Sequence, residues 1–338
     1  MNLLVCISIC ASIGAAGSSH PPVLQVVTTT QDLASIAKAI GQDRVRVTPI
    51  VTGARDPHKI QAKPSYMSLL RDADLFIAVG LDLEVGWESA IIQGSRNSAL
   101  RIGGRGHYYA STGVPVLDKP VTGSRALGDV HPQGNPHIWA DPYNARIIAK
   151  GIANKLTELD PANGDFYRRS AQRFLEQIDR KMFGADLVER INPETLWQWQ
   201  SQGILLRELR ERNLLAQLGG WAGKMEPLRG TPVITYHRSL NYFAHRFGLE
   251  IVAELEPKPG IDPTPGHLAS VVQIATQRKV KVILQEPYYS TRHGEFVASR
   301  TGARVIIIPL SVGNVPEAVD YISLIDTLVA RVSSALGG

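Results

Sequence analysis

The chain has 338 residues, a length typical of two domains that each bury a core of their own. Its composition, 44% hydrophobic and 20% charged residues, is that of a folded globular protein and excludes disordered, collagen-like and disulfide-rich classes. The formal net charge of +5 comes from scattered basic residues and not from long basic runs, so nucleic acid is not an expected partner.

The first 20 residues are apolar and run into small residues at 14–17. This pattern predicts a signal peptide over 1–20 and a mature protein that is periplasmic or otherwise extracytoplasmic. Both cysteines, Cys6 and Cys10, lie within it, so the rest of the chain can form neither a disulfide nor a thiolate metal site. We find no later uncharged apolar run long enough to predict a spanning helix.

Buried-strand patterns then alternate with amphipathic helical patterns. The pattern predicts strands at 23–28, 45–51 and 74–79, and helices at 32–40 and 64–71. Continuous apolar strands between helices are typical of a parallel sheet covered on both faces. The sequence therefore predicts an N-terminal α/β lobe over residues 21–145.

Helical spacing continues after this lobe and is interrupted at Asp160-Pro161, which predicts connecting helices over 146–182, the second of them long. Residues 183–230 carry Trp197, Trp199 and Trp221 among many leucines and predict a helical insertion. A packed helical hairpin is the first interpretation of this insertion. A lid or a partner surface is the alternative.

A second set of strands and helices follows. Strands are predicted at 232–236, 250–255, 280–286 and 303–309, and a final helix at 319–336. These elements predict a C-terminal α/β lobe over 231–338. Because open α/β lobes bind ligands beyond the carboxyl ends of their strands, we expect the functional site in the cleft between the two lobes.

Three of the nine histidines lie at such strand ends or in constrained loops. His58 follows the strand at 45–51, His137 lies in a loop with two prolines, and His237 directly follows the strand at 232–236. Three imidazoles suit Zn²⁺ and other first-row divalent ions. Each histidine alone is equally consistent with a hydrogen-bonded loop or core residue. Separations of 79 and 100 residues mean that only the fold can bring them together.

Glu286 ends the apolar strand at 280–286 and is the provisional fourth ligand. A helix cap or an ion pair with Arg238 is the alternative for this carboxylate. Asp56 and Arg238 are expected to lie behind the ligands and to orient them. His131, in the loop before His137, is a weaker candidate that could help to capture a metal.

The other histidines are expected to have no part in a metal site. His107, His267 and His293 are expected to be exposed or to cap helices, and His245 to lie on a surface or pack on a helix. The chain also lacks a GxGxxG after the first strand, a P-loop, a GxSxG and an HExxH. Nucleotide binding and serine hydrolase chemistry therefore have no support.

Several motifs agree in order and spacing with one protein family. These motifs are Asp56-Pro57-His58 with Pro64-Ser65 and Ala73-Asp74-Leu75, Asn135-Pro136-His137-Ile138-Trp139 with Asp141-Pro142, Thr235-Tyr236-His237 with Tyr242-Phe243 and Gly248-Leu249, and Pro259-Gly260-Ile261-Asp262-Pro263. With them the sequence resembles the zinc/manganese solute-binding proteins of bacterial ABC importers, the cluster A-I family. The resemblance covers residues 23–182 and 231–338.

This resemblance implies two Rossmann-like α/β lobes with parallel sheets, joined by one long rigid backbone helix. It also implies a divalent metal held between the lobes by His58 and His137 from the first lobe and His237 from the second. With histidine as the third ligand, the sequence resembles the zinc-preferring members of the family. Manganese-preferring members often have Glu at this position, because the harder Mn²⁺ favours carboxylate and the softer Zn²⁺ favours imidazole.

The sequence departs from the family pattern at two places. The last strand runs through Ile308-Pro309-Leu310-Ser311 without the acid that the family often supplies, which leaves Glu286, a water or an open position as the fourth ligand. The segment 183–230 is longer than the usual link between the backbone helix and the second lobe.

The resemblance implies a receptor that captures Zn²⁺, with Mn²⁺ as the alternative, and delivers it to an ABC permease and its ATPase. We expect a monomer that is not an enzyme and binds no nucleic acid. Membrane contact is expected only through the permease or a lipid anchor at Cys10. Because the ligands must be deprotonated, capture should weaken as the pH falls through about 6.5.

Two other classes of function remain open at the level of sequence. A secreted hydrolase could use the three histidines to hold zinc, with Glu286 as general base. An adhesin or structural module of the same fold would bind a surface partner independently of metal.

Overall fold

The structure is a computed structural model that describes residues 23–120, 131–258 and 260–337. The predicted signal peptide at 1–20 and its two cysteines lie outside the described residues. Within the described residues, no helix is both long and apolar enough to cross a membrane.

The N-terminal lobe contains one parallel four-stranded sheet in the order β2-β1-β3-β4. Its strands are β1 (Leu24–Thr28), β2 (Val45–Pro49), β3 (Leu75–Ala78) and β4 (His107–Tyr109), and its helices are α1 (Gln31–Gly41), α2 (Pro64–Arg71) and α3 (Glu88–Ser95). Helix α1 begins where the Thr30 side chain accepts a hydrogen bond from the Leu33 backbone N–H. Its apolar face is fully buried and fixes the helix on the sheet.

Two long helices and four short ones follow the first lobe. They are α4 (Pro142–Leu159), α5 (Gly164–Phe183), α6 (Ala185–Arg190), α7 (Pro193–Ser201), α8 (Leu205–Glu211) and α9 (Gly220–Met225). Helix α4 ends just before Asp160-Pro161, at the predicted interruption, and α5 continues for 20 residues. The indoles of Trp197 and Trp221, in this segment, are buried in the core.

The C-terminal lobe repeats the architecture of the first. Its parallel sheet has the order β6-β5-β7-β8. The elements are β5 (Pro232–Thr235), α10 (Asn241–Phe247), β6 (Glu250–Glu254), α11 (Pro265–Gln277), β7 (Val282–Gln285), α12 (Arg292–Thr301), β8 (Arg304–Ile307) and α13 (Tyr321–Leu336).

In each sheet the second strand along the chain lies on one side of the first strand, and the third strand lies on the other side of the first. The strand order therefore reverses between β1 and β3 and between β5 and β7, and a crevice forms beyond the carboxyl ends of these strands. The two lobes share one large hydrophobic core that also includes α4, α5 and α13. The predicted fold, two α/β lobes with parallel sheets joined by a long helix, is confirmed.

The prediction for His107 is wrong. This residue begins β4 and is buried, and its Nε2 lies 2.9 Å from Glu88 Oε1. Its hydrogen bond to a partly buried carboxylate explains how an imidazole is accommodated in the lobe interior. Strand β4 itself was not predicted because it has only three residues.

Candidate metal centre

His58 is held in a short 3₁₀ turn beyond β2 by the residue two positions before it. Asp56 Oδ1 accepts one hydrogen bond from the His58 backbone N–H at 3.0 Å and lies 2.8 Å from the ring Nδ1. Because a carboxylate only accepts, Nδ1 carries the proton, and Nε2 presents a lone pair on the far side of the ring. This is the arrangement expected of an oriented metal ligand.

His137 is held in the same way by Asn135. Asn135 Oδ1 accepts from the His137 backbone N–H at 3.0 Å and lies 2.8 Å from the ring Nδ1. The amide orientation is set by its other end, since Nδ2 donates to Asp118 Oδ2 and to the Arg238 carbonyl. Gly134 precedes it with φ of +112°, a conformation that favours glycine.

His237 directly follows β5 and is oriented by a carboxylate from the neighbouring strand connection. Its Nδ1 lies 2.7 Å from Glu256 Oε2, and both side chains are 6% exposed. Glu256 follows β6, which is paired with β5, so the two side chains meet at the same carboxyl edge of the sheet. The pair again leaves Nε2 as the free donor atom.

The structure brings His58, His137 and His237 together. Their ring centroids are 5.0, 5.3 and 5.2 Å apart. One nitrogen from each lies within 4.8 Å of the other two, the only such group of histidine, cysteine and acidic residues among the described residues. Donor atoms this close can converge on one cation.

Burial and the neighbouring charges favour the neutral form of His137. His137 is 1% exposed, and burial together with the neighbouring imidazoles lowers its pKa well below the usual value. A neutral imidazole has a free lone pair for a metal at neutral pH. Burial opposes ionisation of Asp56, but the hydrogen bond and charge of His58 outweigh it and lower the Asp56 pKa.

Glu286 lies at the end of β7, as predicted, but its carboxylate accepts a hydrogen bond from the Ser239 hydroxyl. It is fully buried, and burial raises its pKa to about 7. The group of converging donors does not include it. Arg238 does not pair with it either, because its guanidinium lies 3.6 Å from a Glu254 oxygen. Its role as fourth ligand stays a prediction.

His131 lies beside the three histidines. Its ring centroid is 5.3 Å from that of His58, and its Nε2 is buried without a hydrogen-bond partner. Burial and the charges of His58 and His237 lower its pKa to about 3. With His137 and His237 it lines a cavity of about 30 Å³, a size that holds an ion or a water molecule.

Sequence reasoning did not identify Asn135 and Glu256 as orienting residues. A signal for Asn135 was present, since Asp56-Pro57-His58 and Asn135-Pro136-His137 share one pattern. In both, a side-chain oxygen can turn back to bond the backbone N–H two residues on. We see no local signal for Glu256, because it reaches His237 only through strand pairing.

The family model described as "Zinc-uptake complex component A periplasmic" matches residues 26–182 and 214–335. FimA from Streptococcus parasanguinis, a metal ABC transporter substrate-binding lipoprotein, is 26% identical over 89% of this chain and 82% of its own length. PsaA from Streptococcus pneumoniae, a manganese ABC transporter substrate-binding lipoprotein, is 31% identical over 53% of this chain. The match spans 54% of PsaA, about half its length.

Solved structures share the fold. A crystal structure of ZnuA has a TM-score of 0.69 at 21% identity and covers 93% of this chain and 100% of that chain. A zinc-bound ZnuA deletion mutant has a TM-score of 0.70 at 21% identity and covers 94% of this chain and 99% of that chain. A manganese-bound periplasmic metal binding protein from Candidatus Liberibacter asiaticus has a TM-score of 0.66 at 21% identity, covering 93% and 99%.

Proposed function

The chain belongs to the zinc-uptake complex component A family, and on that premise we propose that it is the substrate-binding protein of a metal ABC importer. It would capture one divalent transition metal between its lobes, Zn²⁺ in preference to Mn²⁺, and deliver it to a permease and its ATPase. The observation that carries this proposal is the convergence of three buried or half-buried imidazoles from both lobes within 4.8 Å.

The ligands in this proposal are His58, His137 and His237, with one further position that Glu286 was predicted to fill. The first two come from the N-terminal half and the third from the C-terminal lobe, so a bound ion would join the two lobes. Neutral nitrogen ligands favour Zn²⁺ over the harder Mn²⁺. The relative PsaA is named a manganese ABC transporter substrate-binding lipoprotein, which makes the metal preference the first property to measure.

The size of the cavity supports ion binding over hydrolysis. About 30 Å³ can accommodate an ion or a water molecule, whereas organic substrates occupy pockets of several hundred cubic ångströms. We therefore propose that the chain is not a hydrolase. A metal-dependent hydrolysis screen on generic ester and phosphate substrates tests this, and turnover that is lost in His58→Ala would contradict it.

We propose the domain limits that the sequence predicts. We propose that a signal peptide at 1–20 directs the chain out of the cytoplasm, that the lobes comprise 21–145 and 231–338, and that 146–182 connect them. The segment 183–230 would be a helical insertion. In support, residues 183–213 lie between the two stretches matched by the family model.

Calorimetric titration of the purified, metal-free protein with Zn²⁺ and with Mn²⁺ tests the function. We expect one ion per chain, with zinc the tighter. His58→Ala and His137→Ala should each weaken zinc binding by at least about tenfold, since each removes a ligand. His245→Ala is the matched control because His245 is exposed on α10. Unchanged zinc affinity in both ligand variants would refute the proposal.

A further inference from the structure

A fourth histidine stands beside the converging three, and we propose that His131 is the fourth metal ligand, so that the bound ion is held by four imidazoles. This inference rests on the proposed metal-binding function and extends it to a residue outside the three-histidine group. It also replaces Glu286 in the fourth position.

The first argument is proximity. The rings of His131 and His58 are 5.3 Å apart, as far apart as those of His58 and His237. His131 also lines the cavity of about 30 Å³ together with His137 and His237. Its donor nitrogen lies outside the group that meets within 4.8 Å. His131 would therefore approach the others when an ion enters, by a small shift of its turn.

The second argument is the chemistry of the ring. Nε2 of His131 is buried and has no hydrogen-bond partner. In this respect His131 resembles His58, whose Nε2 is also buried without a hydrogen-bond partner. A buried, unpaired polar atom carries a free-energy cost that a metal ion would relieve.

The third argument is that the fold positions this residue. The Gly134 backbone N–H donates to the His131 carbonyl at 3.0 Å and closes a turn. Within that turn, Gln133 Nε2 donates to Asp82 Oδ1 at 3.1 Å. Asp82 belongs to the loop after β3, which is braced by the buried Glu84 carboxylate on two backbone N–H groups. The turn that carries His131 is therefore attached to the N-terminal lobe through Asp82.

Glu286 is the competing candidate for the fourth metal ligand, but its hydrogen bond to Ser239 argues against that role. Its carboxylate is fully buried and accepts the Ser239 hydroxyl, so it already has a partner, whereas His131 Nε2 has none. An all-nitrogen site also predicts selectivity, because exchanging an oxygen ligand for imidazole favours Zn²⁺ over Mn²⁺.

X-ray absorption spectroscopy of the zinc-loaded, purified chain counts the imidazoles directly. We expect four in the unaltered protein, three in His131→Asn, and four in Glu286→Gln. In competition with a chromophoric chelator, His131→Asn should bind zinc at least about tenfold more weakly and lose part of its preference over Mn²⁺. His245→Asn, an exposed histidine exchanged in the same way, should match the unaltered protein.

Three imidazoles in the unaltered protein, or equal zinc affinities for His131→Asn and His245→Asn, would overturn the inference. The imidazole count needs no variant, so it decides the question even if His131→Asn folds poorly. Failure of the proposed function is a different result: the unaltered chain would then bind neither metal, or His58→Ala would bind as tightly as the unaltered chain.

Discussion

At the scale of single residues, each imidazole of the candidate metal centre is held by a hydrogen-bond acceptor. Asp56, Asn135 and Glu256 each place an oxygen 2.7–2.8 Å from an Nδ1 atom. These bonds select the tautomer in which Nε2 is unprotonated and restrict rotation of the ring. The three imidazoles are thereby held in place without an ion, which would lower the entropy cost of the proposed metal binding.

Glu256 offers a test of this orientation. Glu256→Ala should weaken zinc binding by about 10- to 100-fold, because His237 loses the acceptor that sets its tautomer. Chelator competition on the purified protein measures the affinity. Glu254→Ala is the matched control, since Glu254 lies two residues earlier and contacts Arg238 instead. If both variants bound zinc equally well, the orienting role of Glu256 would be wrong.

At the scale of elements, two buried arginines fasten the helices around the centre. Arg246 on α10 forms two bonds of 2.8 Å to Asp141, which also caps α4. Arg146 on α4 contacts Asp179 on α5 at 3.0 Å and Glu194 on α7 at 2.6 Å. The charged groups thus tie the C-terminal lobe and the segment 183–230 to the connecting helices, a few residues from His137.

Removing the Arg246 side chain should strongly reduce the stability of the folded protein. Both partners of the Arg246–Asp141 pair are at least nine-tenths buried, so Arg246→Ala leaves a buried carboxylate without its counter-ion. We expect the free energy of unfolding to fall by about 3–5 kcal/mol, measured by urea denaturation of the metal-free protein. Arg278→Ala, which breaks the exposed pair with Glu250, is the control and should cost far less. Similar losses in both variants would contradict this account.

At the scale of the whole molecule, the lobes are joined by more than the long helix. The Trp139 indole N–H donates to the Leu310 carbonyl at 2.9 Å, and the Tyr321 hydroxyl donates to the Trp139 carbonyl at 2.7 Å. The Tyr242 hydroxyl also donates to the Asn135 carbonyl. The loop that carries His137 is therefore held by the C-terminal lobe as well as by its own.

Asp32 makes another contact between the lobes, and its environment predicts a pH dependence. It is fully buried on α1 and accepts from the Val312 backbone N–H at 2.9 Å, and burial raises its pKa from 3.8 to about 7. The folded state therefore binds this proton more tightly than the unfolded state. Its contribution to stability is complete below pH 4 and is lost as the pH rises toward 7.

Asp32→Asn removes this titration. The variant should gain stability relative to the unaltered protein as the pH rises from about 4 to 7, by at most about 1.4 kcal/mol per pH unit. Urea denaturation of the metal-free proteins across this range measures it. Asp43→Asn, at an exposed position just after α1, should show no such trend. A difference between Asp32→Asn and the unaltered protein that does not change with pH would refute it.

Most of the secondary structure could be predicted from the sequence because periodicity is a local property. The strands at β1–β3 and β5–β8 and the break between α4 and α5 follow from apolar runs, helical spacing and one Asp-Pro step. Strand β4 was missed, since three residues are too few to show a period. His107 was consequently placed on the surface although it is buried.

The sequence by itself determined which histidines lie at the carboxyl ends of strands, and the absence of cysteine after residue 10 left imidazole and carboxylate as metal ligands. Only the tertiary structure decided which side chains meet. Residues 79 and 100 positions apart converge because two sheets with the same strand order turn their crevices to one cleft. Glu256 reaches His237, Glu286 turns to Ser239, and His131 comes to lie beside His58. Each of these contacts depends on strand pairing or loop closure between distant segments, which no local pattern encodes.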